Sequence, residues 1–213
     1  MGTAVYHPAI EDIKAQYLVA DDLKVAASIL YNAYFDDPLF NDIFEIQKEG
    51  YESRLRSAIR EELNAFWDAQ QPIIGLYEEG RLLAVTCLIS PDAAFGAGRY
   101  WHWKLKMLLT AGFLGTKQMI SKEEKVRECI PAKDYHMLSF IGVHKDHQDI
   151  GLGHILMSAI VSLLQEDPKT EGVAVFVTLP KCLSFFVNGK FELVTELEVG
   201  HITGKVMFRK KDI

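Results

Sequence analysis

Cysteine is scarce in this chain. Cys87, Cys129 and Cys182 are the three in 213 residues. They are widely spaced, odd in number and form no C-x-x-C pattern, which excludes a disulfide framework and points to a reducing compartment. Positive charge is short as well: 23 Lys and Arg stand against 29 Asp and Glu, for a formal charge of −6 and a pI of about 5.7. Bulk electrostatics therefore disfavours nucleic acid and anionic membranes as partners. Lys104 and Lys106, beside Trp101 and Trp103, are too few to reverse that balance, and core or lid packing is the expected role of the two tryptophans. No apolar run approaches the ~18 residues of a membrane span. The N-terminus shows no basic region followed by an apolar one, so no signal peptide is expected and the location read from the sequence is cytoplasmic. Repeats, low-complexity tracts and interdomain linkers are missing too, and no metal site is expected.

What is present suits one globular domain over residues 1–213, with 49% hydrophobic and 24% charged residues to build and solvate a core. Tyr17-Leu18-Val19-Ala20 reads as a short strand. Asp21 is placed to cap a helix with apolar positions Leu23, Ala26, Ala27, Ile29, Leu30 and Ala33. Pro38 is expected to stop it, leaving Tyr34-Phe35-Asp36-Asp37-Pro38-Leu39-Phe40 as an aromatic and acidic corner. Two readings of that corner stand: a helix end with solvated aspartates, or a substrate-binding edge in which Tyr34, Asp36 and Asp37 meet a cationic amine. A second helix is expected from Glu52 to Ala69, with Leu55, Ile59, Leu63 and Phe66 on one face. Ile73 to Tyr77 and Leu82 to Ile89, joined through Gly80, read as a hairpin. Residues 92–133 have the weakest pattern and read as an insertion, with helical stretches at Leu105–Leu114 and Lys122–Cys129.

The most informative stretch runs from Ser139 to His154. A strand over 134–143 alternates so that Met137, Ser139 and Ile141 are expected on one face and His136, Leu138 and Phe140 on the other. After it comes Gln148-x-x-Gly151-x-Gly153, and then helical spacing through Leu152, Ile155, Leu156, Ala159, Ile160, Leu163 and Leu164. A strand, a glycine-bearing turn and a helix start together make an anion-binding device, because unpaired N–H groups and the helix dipole favour phosphate. Neither the dinucleotide pattern G-x-G-x-x-G nor the nucleotide loop G-x-x-x-x-G-K-[ST] is present. Val173 to Thr178 follows as a buried strand, so strand, helix and strand form a right-handed βαβ unit with ligand expected at the carboxyl ends of its strands. Pro180 opens a short helix to Asn188. Phe191–Val199 and Ile202–Arg209 make a terminal antiparallel pair.

The loop string Val143-x-x-x-x-Gln148-x-x-Gly151-x-Gly153, the order of elements and Ser184-Phe185-Phe186-Val187-Asn188-Gly189-Lys190-Phe191 resemble the Gcn5-related N-acetyltransferase (GNAT) superfamily. Phe35-Asp36-Asp37-Pro38 and Asp146-His147-Gln148-x-x-Gly151-Leu152-Gly153 are similar to its puromycin N-acetyltransferase-like branch. The resemblance covers residues 17–210 and implies an α/β (α+β) fold with a central mixed sheet of about seven strands flanked by helices. It implies acetyl-CoA as co-substrate, held by Ile141, Gly142 and Val143 along the pantetheine arm and by Gln148, Asp149, Ile150, Gly151, Leu152, Gly153 and His154 at the pyrophosphate. Lys145 and Lys181 are candidate phosphate-facing charges, each with a solvated-surface alternative. The implied reaction is acetyl transfer to the amine of a small molecule by direct attack in a ternary complex, in a monomer or homodimer.

Such a reaction needs a base, since an alkylamine of pKa near 10 is mostly protonated at neutral pH. Central-strand positions that serve relatives correspond here to Met137, which carries no base, and Ser139, which relays only through water or is simply a buried, satisfied serine. His136 has a suitable pKa range, with a packed core histidine as the alternative reading. Asp36, Asp37 and Tyr135 are further candidates. The family's thiolate-protonating tyrosine is replaced by Phe186, and Lys190 replaces the glycine of its G-F pair, with Gly189 expected to supply the turn. That departure supports an alternative: a CoA-binding protein of this fold with little or no transferase activity.

Overall fold

The computed structural model describes residues 12–93, 115 and 117–212. Its elements are β1 (Lys14–Tyr17), α1 (Leu23–Tyr34), α2 (Pro38–Ile43), α3 (Tyr51–Asp68), β2 (Ile73–Glu78), β3 (Arg81–Ile89), α4 (117–129), β4 (His136–Val143), α5 (Leu152–Glu166), β5 (Gly172–Val177), α6 (Leu183–Asn188), β6 (Glu192–Val199) and β7 (Ile202–Lys210). The strands form one seven-stranded mixed sheet in the order β1-β2-β3-β4-β5-β7-β6, in which only β4 and β5 run parallel. That is the expected mixed sheet of seven strands with helices on both faces. Among the described residues no helix is long and apolar enough to cross a membrane. The expected helix at Leu105–Leu114, together with Trp101, Trp103, Lys104 and Lys106, lies outside the described residues.

The sheet is covered on both faces. On one, α1 and α3 bury Ile29, Leu30, Leu55, Ile59 and Leu63, the positions their 3.6-residue spacing selects. The same face of β5 and β7 is covered by Val126 of α4 and by Ile130 just after it, against Ala174, Val206 and Phe208. On the other face α5 buries Met157, Ile160 and Leu164 against Leu138, Val173 and Val175. Strands β3 and β5 are apolar almost throughout because they are enclosed on both sides.

Two local expectations are corrected. The first strand is Lys14–Tyr17 rather than 17–20: it pairs with β2 through Tyr17↔Ile74, and the chain then leaves the sheet so that Leu18 enters the core. Pro38 does not merely stop α1. It is the first residue of α2, whose N-cap is Asp37, with Asp37 Oδ1 accepting from the N–H groups of Leu39 (2.9 Å) and Phe40 (3.3 Å). Proline suits that first helical position because its missing N–H would be unpaired there anyway.

Candidate functional site

Strand β4 changes character halfway along. Its first three residues pair with β5 through His136↔Val173, Met137↔Ala174 and Leu138↔Val175, and Met137 and Leu138 pair with β3 as well. Beyond Leu138 the pairing with β5 stops, although both strands continue, to Val143 and Val177. A β-bulge marks the change: Cys87 faces Phe140 and Leu88 faces Leu138, so Ser139 is the extra residue.

The bulge overturns the expected alternation of faces. Leu138 and Ile141 pack toward α5, whereas Phe140 turns to the opposite layer, with its ring 5.3 Å from Tyr34, 6.3 Å from Phe40 and 6.4 Å from Phe66. Gly142 faces α1 so closely that a Cβ there would stand 3.1 Å from both Ala33 and Leu30. One inserted residue thus reverses every side chain that follows it.

Where the strands part, a cavity of about 730 Å³ opens. Ser139, Ile141, Val177 and Phe186 line its sheet side, and Tyr34, Asp37 and Phe40 line the corner between α1 and α2. The open edge of β4 is held by side chains. The Ile141 N–H donates to the Tyr34 hydroxyl oxygen (3.1 Å), and Gln148 Nε2 donates to the Val143 carbonyl (3.3 Å). Both backbone groups therefore point away from β3, as residues two apart on a strand should. Ile141 and Val143, expected along a pantetheine arm, are the residues whose backbone groups face this open edge.

Past Val143 the chain makes a short 3-10 turn (Lys145–His147) and reaches α5 through Asp149 at φ 62° and Gly151, its N-cap, at φ 93°. This left-handed geometry at Gly151 suits glycine above other residues. The Leu152 and Gly153 N–H groups, first in the helix, have no acceptor among the described residues. The two glycines of the motif have different reasons. Gly151 sets the turn, while a Cβ on Gly153 would meet the Phe185 ring at 3.1 Å, so Gly153 admits the packing of α6. His154, exposed on the first turn, has its ring 5.7 Å from that of Phe185. Gln148, Asp149 and Lys145 are exposed around the turn and Ile150 is half-buried. Turn, helix start and strand edge together fit a pyrophosphate and pantetheine.

The remaining candidates separate cleanly. His136 is buried away from the cavity. His136 Nδ1 shares a hydrogen bond with Thr170 Oγ1 (3.0 Å), which also lies 2.9 Å from the Gly172 carbonyl, and Nε2 faces Asp167 at 3.7 Å. Burial lowers its pKa from 6.5, and Asp167 only partly offsets this. Ser139 lines the cavity at the bulge. Asp36 is exposed, while Asp37 is 5% exposed, with Oδ1 on the α2 N-terminus and Oδ2 accepting from the Thr178 hydroxyl at the end of β5. Asp37 thus ties the first helical corner to the far side of the cleft. A sequence signal for this existed, since Asp before Pro is an N-cap pattern. Tyr135 also lines the cavity, and burial raises its pKa. Phe186 is buried, its ring 5.1 Å from Phe185 and 5.4 Å from Phe191. Gly189 does not make the left-handed turn after α6. It sits at φ −77° and Lys190 takes φ 64°.

No protein-family model matches the chain. It is 26% identical over 204 residues to a probable serine/threonine-protein kinase from Dictyostelium discoideum, a match covering 85% of this chain and 21% of that protein, so the chain spans about a fifth of that relative's length. Among solved structures, a histone acetyltransferase HPA2 and related acetyltransferase from Corynebacterium glutamicum superposes with a TM-score of 0.69 at 11% identity, covering 95% of this chain and 98% of that one. An insect protein of the arylalkylamine N-acetyltransferase series, number 7 from the mosquito Aedes aegypti, gives 0.63 at 12% identity, covering 94% and 88%. A Salmonella typhimurium protein solved with its cofactor acetyl-CoA gives 0.54 at 13%, covering 94% and 95%. The fold is that of the GNAT acetyltransferases.

Proposed function

We propose that the chain is an acetyl-CoA-dependent N-acetyltransferase that acetylates the amine of a small molecule by direct attack in a ternary complex. The observation that carries this reading is the parting of β4 from β5 after Leu138, with an unpaired helix start beyond the exposed edge and a buried carboxylate, Asp37, among the residues that line the cavity.

Acetyl-CoA supplies an activated thioester. The chain's residues do the rest. The Leu152 and Gly153 N–H groups, with the dipole of the 15-residue α5 behind them, bind pyrophosphate oxygens. Ile141 and Val143 extend the sheet edge to the pantetheine amides. The acceptor amine enters at the α1–α2 corner, where Tyr34 and Phe40 offer ring faces and Asp37 a carboxylate. Asp37 is the proton acceptor in this reading. Two backbone N–H donors and the Thr178 hydroxyl fix its geometry, and it lines the cavity. Ser139, on the bulge, relays protons through water. A cavity of this size, walled by α4 and the corner helices, suits a small metabolite or xenobiotic amine better than a protein tail. The name of the mosquito neighbour, which points to arylalkylamines, and the sequence likeness to the puromycin branch support the same substrate class.

Calorimetric titration with acetyl-CoA followed by thiol-detected CoA release over a panel of amines tests the proposal. Saturable binding with amine-dependent release above hydrolysis is expected. Absence of binding at millimolar acetyl-CoA overturns the reading, while binding without release from any amine favours a CoA-binding protein without transfer.

A further inference from the structure

Phe186 leaves the departing thiolate with no acid at the position where the family resemblance places one, but the cavity contains a phenol from another element. Tyr34 is the last residue of α1. Its ring is wedged between Phe40 and Phe140, each 5.3 Å away, and its oxygen accepts the Ile141 N–H at 3.1 Å. A phenol oxygen that accepts one hydrogen bond still carries its own proton, and among the described residues that O–H has no acceptor. It shares the cavity with Cys182 and Phe186 on the far wall and sits at the open edge of β4, where the proposed thioester lies. Burial keeps the hydroxyl protonated at neutral pH, the form in which it can donate.

We propose that Tyr34 is a catalytic residue, the general acid that protonates the CoA sulfur as the acyl group leaves. The inference rests on the transferase reading above. The acceptor, as an ammonium ion, first loses one proton to Asp37 and from there to solvent. Its nitrogen then bonds to the acyl carbon, and the C–S bond breaks with its electron pair going to sulfur. The Tyr34 O–H proton goes to that sulfur, and the tyrosinate takes the proton that the newly bonded nitrogen sheds. The products are the amide and free CoA thiol, with Tyr34 restored and one proton released overall.

The test is Tyr34→Phe, which keeps the ring between Phe40 and Phe140 and removes only the hydroxyl. A thiol of pKa about 8.5 leaves tolerably unaided, so kcat should fall about 10- to 100-fold, at the low end for general acid catalysis. The acetyl-CoA dissociation constant should stay within about threefold, since binding rests on the helix start and strand edge. Fluorinated tyrosines installed at position 34 keep the hydroxyl and grade its acidity. For an acid, kcat tracks phenol acidity and the alkaline limb of its pH profile moves down with it. Wild-type kcat in Tyr34→Phe overturns the proposal. So does a loss that the fluorinated series leaves flat, which marks a positioning hydroxyl. A wild-type chain that binds acetyl-CoA but releases CoA with no amine overturns the transferase reading itself, by a separate observation.

Discussion

The two halves of β4 are both mostly apolar and have opposite duties. His136–Leu138 pairs along its whole length with β5, Met137 and Leu138 pair with β3 as well, and the polar member His136 is closed off by Thr170 and Asp167. Residues 139–143 keep one neighbour and turn the other edge to a cavity. A single extra residue, Ser139, separates them. The contrast shows that the site is made by withholding strand pairing rather than by adding polar residues. Substitutions should therefore act on turnover in one half and on stability in the other.

The largest effect is expected at the cavity. Asp37→Asn retains an oxygen to cap α2 but cannot take a proton, so kcat/KM should drop about 10²- to 10⁴-fold, with unfolding free energy shifting by no more than about 1 kcal/mol. Steady-state kinetics beside urea titration checks both. At the turn that feeds the open edge, Gly151→Val forces a β-branched side chain into left-handed backbone. Acetyl-CoA binding should weaken about 10- to 100-fold, read by calorimetry.

In the paired half, Thr170→Val leaves His136 Nδ1 buried without its hydrogen-bond partner. Stability should fall by about 1–3 kcal/mol while kcat at saturating substrates holds. A drop in kcat there would break the comparison. The same half should carry a pH dependence. His136 is neutral when folded because burial lowers its pKa below the unfolded 6.5. Its contribution is therefore present above about pH 6.5 and is lost as pH falls from there through the lowered folded value, because the unfolded state then binds the proton more readily. Urea midpoints measured downward from pH 7.5 should show the decline, and His136→Gln should flatten it. The smallest effect lies at the end of α6: Lys190→Gly removes a left-handed lysine and should stabilise by about 1 kcal/mol.

Legibility in the sequence followed the range of the interactions. Helical spacing located α1, α3 and α5 because burial of one stripe is written locally, and the loop at Gln148–Gly153 was visible because Gly151 answers a local backbone demand. The bulge was not visible. Nothing in Leu138-Ser139-Phe140 marks the extra residue, which is set by the partner register at Cys87 and Leu88, so the predicted faces after it were reversed. His136 and Asp37 illustrate the same limit. Both are polar residues beside apolar ones, and only the tertiary neighbours, Thr170 for one and Thr178 with the cavity for the other, separate a packed side chain from one that faces a cleft. Asp37 had half a signal, as the cap before Pro38. Tyr34 had the aromatic corner but no hint that its hydroxyl would reach Ile141, 107 positions away.

The hydrogen bonds from Ile141 to Tyr34 and from Gln148 to Val143 carry one more consequence. A ligand arm laid along this edge exchanges partners instead of filling vacant ones, and a hydrogen bond swapped for another contributes little net affinity. Tight binding must then come from the helix start, where N–H groups await an anion. Pantetheine without its nucleotide pyrophosphate should therefore bind far more weakly than whole CoA, and the fragment carrying the pyrophosphate should retain most of the affinity. In the proposed complex the strand edge is a ruler, setting where the thioester stops, while the turn at Gly151 provides the grip.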